Sequence, residues 1–361
     1  VYDDNIFLTN RNRVSDYYFA IEPGITLGYG DIVGRDRNYI RLDYAPSIFL
    51  FADNSGIDAV QHLVRLEGQY RFTKLALGFS QDVQILDGTN LAATVTGNGG
   101  NVAPGVNLDA GGNTAVNIFN TRATFAYDLA GKTFLSGGAY YSATDYQNGL
   151  ISSSVISGNL FVNYTYSPKL VVGLGGTVGY NWVDAPNPNQ TFEQANVRAT
   201  YQISGKVSLD ASAGVEFRQF DGSLSRGNDN VSPVYELGAI YQPFDGTTIT
   251  ARGTRRTLNS AVLVGNDYAS TNITVGVRQR LLRRIYLGLA AGYENSDYFS
   301  TIRFVNGSRS DDYYFIQPAI DVTITQNWTV GAYYLHREDN SNFSNFSFYD
   351  NQFGLRTSLV Y

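Results

Sequence analysis

Residues 206–218 read KVSLDASAGVEFR. Val207, Leu209, Ala211, Ala213, Val215 and Phe217 share one parity. Ser208, Asp210, Ser212, Gly214, Glu216 and Arg218 share the other. A period of two is that of an extended strand, whose side chains point alternately to its two faces. One face here is apolar and the other small or charged, so the strand divides two different media. Helical spacing does not produce this pattern.

The same alternation recurs along the chain. In 284–294, Ile285, Leu287, Leu289, Ala291 and Tyr293 oppose Tyr286, Gly288, Ala290, Gly292 and Glu294. In 59–72, Val64, Leu66, Tyr70 and Phe72 oppose Arg65, Glu67, Gln69 and Arg71. Two kinds of break alternate between these runs. Short ones fall at 73–74, 130–132, 167–169, 205–206, 245–246, 282–283 and 326–327, with 31–36 joining them by order. They read as compact hairpin turns. Long breaks rich in Asp, Asn, Ser and Gly fall at 87–113, 145–151, 184–190, 221–231, 261–267, 299–311 and 339–347, with 9–14 and 52–58 in the same class. Counting the runs predicts 18 strands, beginning with one near 1–8, a second over 15–30 and a last over 348–361. An even count with alternating short and long connections is the pattern of an outer-membrane barrel.

Composition agrees. Of 361 residues, 16% are charged, below the usual quarter (about 25%). Tyr (27), Phe (21) and Gly (37) are abundant. No apolar run approaches the ~18 residues of a transmembrane helix. The four lysines, Lys74, Lys132, Lys169 and Lys206, all lie at short turns, where a membrane barrel can place charge in water. A soluble sandwich shares the alternation but gives no reason to confine lysine. Tyrosines and tryptophans such as Tyr17, Tyr166, Trp182, Tyr201 and Trp328 cluster near strand ends, as interfacial girdles require. The expectation is an all-β, antiparallel up-and-down transmembrane barrel in the bacterial outer membrane, one domain over 1–361. With no Cys, there is no disulfide or thiolate metal site. With no Met, Val1 is not a translation start, and any signal peptide has been removed from view. The last strand, FYDNQFGLRTSLVY, places Phe353, Leu355, Leu359 and Tyr361 on one face and ends on an aromatic residue. It resembles the signal by which the outer-membrane assembly machinery recognises its clients.

In lipid every backbone group must be bonded internally, so the strands span only as a closed barrel. Eighteen strands enclose an interior wide enough for an aqueous channel. Parity assigns a pore-lining set. Its positive members are Arg41, Arg65, Arg71, Arg122, Arg198, Arg218, Arg252, Arg256, Arg278, Arg280, Arg337 and Arg356. Its negative members are Glu22, Asp43, Glu67, Asp82, Asp210, Glu216, Glu294, Asp321 and Asp339. Twelve against nine makes the wall slightly basic, although the chain carries a net charge of −6. Arg–carboxylate pairs could simply stiffen the wall. They could also set a field favouring anionic or sugar solutes, because the guanidinium fork binds carboxylates bidentately. Arg255 falls outward by strict parity, which implies a bulge or an interfacial position.

Segment 87–113, DGTNLAATVTGNGGNVAPGVNLDAGGN, is the longest irregular stretch. It suits either a loop folded into the bore or a mobile external loop. Its GNGG lacks the lysine and the strand-to-helix setting of a phosphate loop. The two histidines, His62 and His336, sit on the apolar parity without a serine signature, so catalysis is not expected. No zinc-ligand spacing and no cofactor motif is present. Asp3-Asp4 and Asp311-Asp312 could hold Ca²⁺ or bridge lipopolysaccharide, or serve as solvated loop charge. The acidic balance argues against nucleic acid.

The opening VYDDNIFLTNRNRVSDYYFAIEPGITLGYG carries Tyr2-Asp3-Asp4-Asn5-Ile6-Phe7, then Ser15-Asp16 and Glu22-Pro23-Gly24 leading into a strand. These features resemble the outer-membrane beta-barrel porin family associated with bacterial exopolysaccharide export. They cover the first tenth of the chain and transfer no binding residues. The resemblance implies a porin-like channel, with the exit of an exopolysaccharide as its specific form. The competing expectation is a structural barrel with a closed bore and partner- or glycan-binding outer loops. Lipid, lipopolysaccharide and polar or anionic solutes are the expected partners, and oligomers remain open.

Overall fold

A computed structural model describes residues 1–361 except 36, 90–109, 148, 223–224, 226–229, 304, 306–307 and 361. The described part of the chain forms one antiparallel sheet. Its strands are β1 (Tyr2–Asp3), β2 (Asp16–Ile21), β3 (Ile25–Gly30), β4 (Tyr39–Phe51), β5 (Ala59–Arg71), β6 (Leu75–Leu86), β7 (Val116–Ala130), β8 (Thr133–Tyr146), β9 (Ser153–Ser167) and β10 (Leu170–Val183). They continue as β11 (Gln190–Ser204), β12 (Val207–Phe220), β13 (Asn230–Tyr241), β14 (Thr247–Asn259), β15 (Asn266–Leu281), β16 (Ile285–Ser300), β17 (Ser310–Thr323), β18 (Trp328–Ser341) and β19 (Phe348–Leu359).

From β4 to β19 each strand pairs with the next. β2 and β3 both pair with β4, so they fill one position, interrupted at Glu22-Pro23-Gly24. Pro23 has no N–H to give the ladder. The sheet closes through β1, whose Tyr2 and Asp3 pair with Phe353 and Gln352 on one side and with Tyr17 and Asp16 on the other. The result is a closed 18-strand barrel. β1 is much shorter than the 1–8 strand expected from sequence. Beyond Asp3 the chain turns inward: Asn5 donates to the carbonyls of Thr9 and Tyr349, and Ile6 is buried against Tyr18 and Phe49. Below β1, no ladder joins β3 to the C-terminal half of β19 among the described residues. The wall there has a seam.

The tight turns explain the short breaks. Leu282 and Arg283 both take positive φ (47° and 64°), and Leu281 pairs with Ile285, so a tight three-residue turn over 282–284 closes the hairpin. Arg283 and Arg284 are therefore hairpin-tip charges. Two of the turn lysines tie neighbouring hairpins together: Lys206 Nζ donates to the Pro243 carbonyl at 2.9 Å and Lys169 Nζ to that of Ile203 at 3.2 Å.

The outward face is apolar. Leu27, Phe79, Leu160, Leu174, Val197, Ile273 and Leu355 are all exposed. Such a surface over the whole circumference fits lipid, not water. Exposed Tyr166, Tyr201, Tyr241 and Trp328 ring the end with short turns, and Tyr17, Trp182 and Tyr349 the end with long loops. The chain is a transmembrane barrel of the bacterial outer membrane, with its short turns periplasmic and its long loops extracellular. No helix among the described residues is long and apolar enough to span a membrane.

Candidate functional site

Residues opposite each other in the ladders share a face, so pairing fixes what looks into the bore. On the periplasmic side the inward face is open and charged. Arg41 Nη2 lies 2.8 Å from Asp43 Oδ1. Arg65 pairs with Asp82, and Arg252 with Glu236. Arg356 grips Asp321 with two bonds of 2.8 and 2.6 Å, the bidentate geometry of a guanidinium fork. Arg35, in a turn, reaches Glu67 at 3.3 Å. Arg71, Arg122, Arg278 and Arg280 carry no ion pair among the described residues and are exposed; Arg256, toward the outer end of β14 opposite Ser270, is exposed without one as well. Asp210 is exposed beside Gly238, and Glu22 sits exposed in the β2–β3 break. Arg255 donates to Thr271 on the neighbouring strand, on the parity opposite to Arg256.

Glycine makes the longer bridges possible. Asp321 and Arg356 belong to β17 and β19, and Gly331 of β18 lies between them. A Cβ there would collide with the Asp321 carboxylate. Arg198 likewise crosses β10 to reach Asn163 Oδ1 at 2.9 Å and Ser136. It passes over Gly173, where a Cβ would sit 3.1 Å from its chain.

Toward the extracellular end the same inward face becomes a packed interior. Arg218 is 5% exposed and Glu216 2%. Arg218 Nε donates to Glu216 at 2.9 Å and its Nη1 to Gln190 at 2.6 Å. Arg337 (2% exposed) donates to Asp350 (0%) at 2.6 Å, and Gln352 joins Asp350 to Asp3 (0%) with bonds of 3.3 and 2.9 Å. Glu294 accepts from Ser270 at 2.7 Å, and Asp339 is buried beside Tyr313. Glu216, Arg218, Arg337 and Asp339 face inward as parity requires. They are sealed inside a polar core, however, and do not stand on an open wall.

Loops supply the packing. Ala261, in the β14–β15 connection, is 0% exposed and belongs to one apolar cluster with Leu86, Val116, Ile118 and Tyr146. Those partners sit on β6, β7 and β8, almost half the circumference away from β14. The connection therefore crosses the bore. Ile151 N donates to the Ala261 carbonyl at 2.8 Å, and the Gly265 amide donates to Asn187 Oδ1 at 2.5 Å, which fixes the loop to two others. Ile6 and Leu8 enter from the N-terminal segment, into clusters built on Tyr18, Phe49 and Phe51 and on Tyr313, Phe315, Leu335 and Phe348. The sequence pointed to 87–113 for this role. Residues 90–109 lie outside the described residues, but Ala110 joins the Ala261 cluster. The 260–265 connection was missed because nothing in its sequence sets it apart from the other long breaks, and only its cross-bore partners distinguish it. Glu236, Asp350 and Gln352 were missed although inward parity alone identifies them.

Both histidines face outward. Tyr44 Oη lies 3.0 Å from His62 Nδ1, and His336 Nδ1 lies 2.9 Å from Asn351. Asp3, Asp4 and Asp350 each bring a carboxylate oxygen within 4.8 Å of the others. That is a hard-cation donor set, but Arg13 on Asp4 (2.6 Å) and Arg337 on Asp350 already supply positive charge. Asp3 is thus a buried structural carboxyl, and Asp311 is buried against Arg309 at 2.5 Å. Neither is solvated loop charge.

No protein-family model matches the chain, and no curated protein matches it. Solved structures do. The FrpB iron transporter from Neisseria meningitidis (F5-1 variant) is similar with a TM-score of 0.51 and 10% identity, over 91% of this chain and 63% of that one. The copper transporter OprC is similar with a TM-score of 0.50 and 8% identity, over 94% and 66%. The outer membrane protein opdK from Pseudomonas aeruginosa aligns over 99% of this chain and 96% of its own, with a TM-score of 0.46 and 10% identity. The chain spans under two thirds of the length of the two transporters. At these identities the likeness establishes the barrel fold.

Proposed function

We propose that the chain is a solute channel of the outer membrane, open to the periplasm and gated at its outer mouth by inward-folded loops. One observation carries this reading: inward arginines stand open on the periplasmic half, whereas those in the packed outer core are sealed. Arg278 and Arg122 stand exposed with no ion pair among the described residues, whereas Arg218 and Arg337 are sealed. A barrel meant only as a scaffold gains nothing from unpaired charge on a hollow inner wall. Such charge favours anionic or polar solutes. The 1–361 chain acts as one barrel unit, in contact with lipid and lipopolysaccharide. Its transport-related neighbours support a channel reading without specifying a solute.

An exopolysaccharide exit is a narrower form of this reading. The alternation of arginines and carboxylates down the wall suits a hydroxyl-rich polymer, and the crossing loop would then have to swing aside. The closed-bore alternative draws on the same packed outer half. Planar-bilayer reversal potentials under a salt gradient test the main reading. Arg278→Glu should shift the reversal potential toward cation selectivity, and an unchanged potential would remove Arg278 from the conducting wall. Loss of surface polymer on deletion, with small-solute uptake intact, would select the polymer exit.

A further inference from the structure

The inner wall from β14 to β19 holds a recess of about 410 Å³ on its periplasmic half. Gly276, Gly288, Ala290 and Ala319 form its floor. Small residues on adjacent strands hollow the wall where the larger side chains around them stand up. Thr248, Thr250, Arg278, Tyr286, Gln317, Asp321 and Arg356 rim it. The volume lies in the range of about 300–1,000 Å³ typical of small-molecule sites.

The geometry points to a solute subsite for a sugar acid, a ligand that carries one carboxylate and several hydroxyls. This rests on the channel reading for its access route, not for its chemistry. Charge selects the carboxylate. Arg356 is neutralised by Asp321, which leaves Arg278 as the recess cation with no ion pair among the described residues. Its guanidinium lies 4.8 Å from the Tyr286 ring centroid. That contact orients the fork without neutralising it, so the recess carries about one uncompensated positive charge.

Gln317 selects the hydroxyls. It is 6% exposed, and its Oε1 has no hydrogen-bond partner among the described residues. An orphaned buried acceptor is costly. Gln317 lines the recess, so its amide is the group there with an acceptor still to be filled, and a ligand hydroxyl supplies the missing donor. A bare carboxylate such as acetate cannot donate. A neutral sugar donates but leaves Arg278 without a counter-charge. The Thr248 and Thr250 hydroxyls give and take hydrogen bonds with the remaining oxygens.

Titration calorimetry on the detergent-solubilised full chain, with glucuronate, glucose and acetate as probes, tests the subsite. Glucuronate should bind about tenfold or more tightly than either of the others. Arg278→Gln should erase its advantage over glucose, and Gln317→Leu its advantage over acetate. Equal binding of glucuronate and glucose, or an Arg278→Gln variant that binds glucuronate like the parent, overturns the proposal. Far-ultraviolet circular dichroism of both variants shows that the barrel is retained. Because binding is read without current, a silent barrel that binds glucuronate retires the channel and keeps the subsite. A conducting barrel that does not bind it does the reverse.

Discussion

Replacing Arg337 with methionine should be among the most damaging single changes in the inner wall. Arg337 donates to Asp350 at 2.6 Å, and Asp350, Asp3 and Gln352 beside it are at most 1% exposed. Without the guanidinium, two carboxyl groups share a dry site with no cation bonded to Asp350. Breaking a buried pair from one side costs about 3–5 kcal/mol. The urea slope is about 1–3 kcal/mol/M for small proteins and rises with chain length, so a loss near 4 kcal/mol lowers the unfolding midpoint by roughly 1 M. Arg65→Met is the matched control. The Arg65–Asp82 pair is inward too, but the Arg65 side chain is 56% exposed, so its loss should cost about 0–1 kcal/mol. The double variant Arg337→Met/Asp350→Leu should recover much of the loss, since an apolar pair of similar volume can replace a buried ion pair at little cost. Urea unfolding in micelles, followed by the emission of Trp182 and Trp328, measures all three. If Arg337→Met and Arg65→Met lie within about 1 kcal/mol of each other, the outer half of the bore is wet and the packed-mouth account is wrong.

Two other predictions follow from the same geometry. The seam between β3 and the end of β19 leaves backbone groups without a ladder, so hydrogen exchange at alternate amides of 25–30 and 355–359 should far outpace that in β10 and β11; equal protection would mean the seam is closed. Because the chain has no cysteine, single replacements report access cleanly. Thr250→Cys and Arg122→Cys should react with a polar thiol reagent in the folded barrel, and Gln61→Cys and Ser270→Cys only after unfolding.

The wall of this barrel is legible in its sequence because each strand faces two media. Val207 to Phe217 must meet lipid and Asp210 to Arg218 must not, so parity alone places them, and the turns follow from where parity lapses. What parity cannot give is depth. Arg218 and Arg278 look alike in sequence, yet one is sealed and the other open, because loops from distant strands descend at one end only. The fate of Ala261 depends on Leu86, Ile118 and Tyr146 across the bore, and no local pattern encodes that contact. The first strand was overextended for a related reason. Asn5 and Ile6 continue the alternation, but their burial against inward side chains outweighs further pairing beyond Asp3.

The most direct test is single-channel current through the reconstituted barrel before and after the crossing loop is shortened, with residues 261–264 replaced by Gly-Ser. The parent should pass small or infrequent currents, because the connection spans the bore and is fixed to two other loops. The shortened variant should open to a larger conductance that favours anions. Silence in both, with the barrel intact by its heat-modifiable migration, would contradict the channel account. A wide conductance in both would contradict the gate.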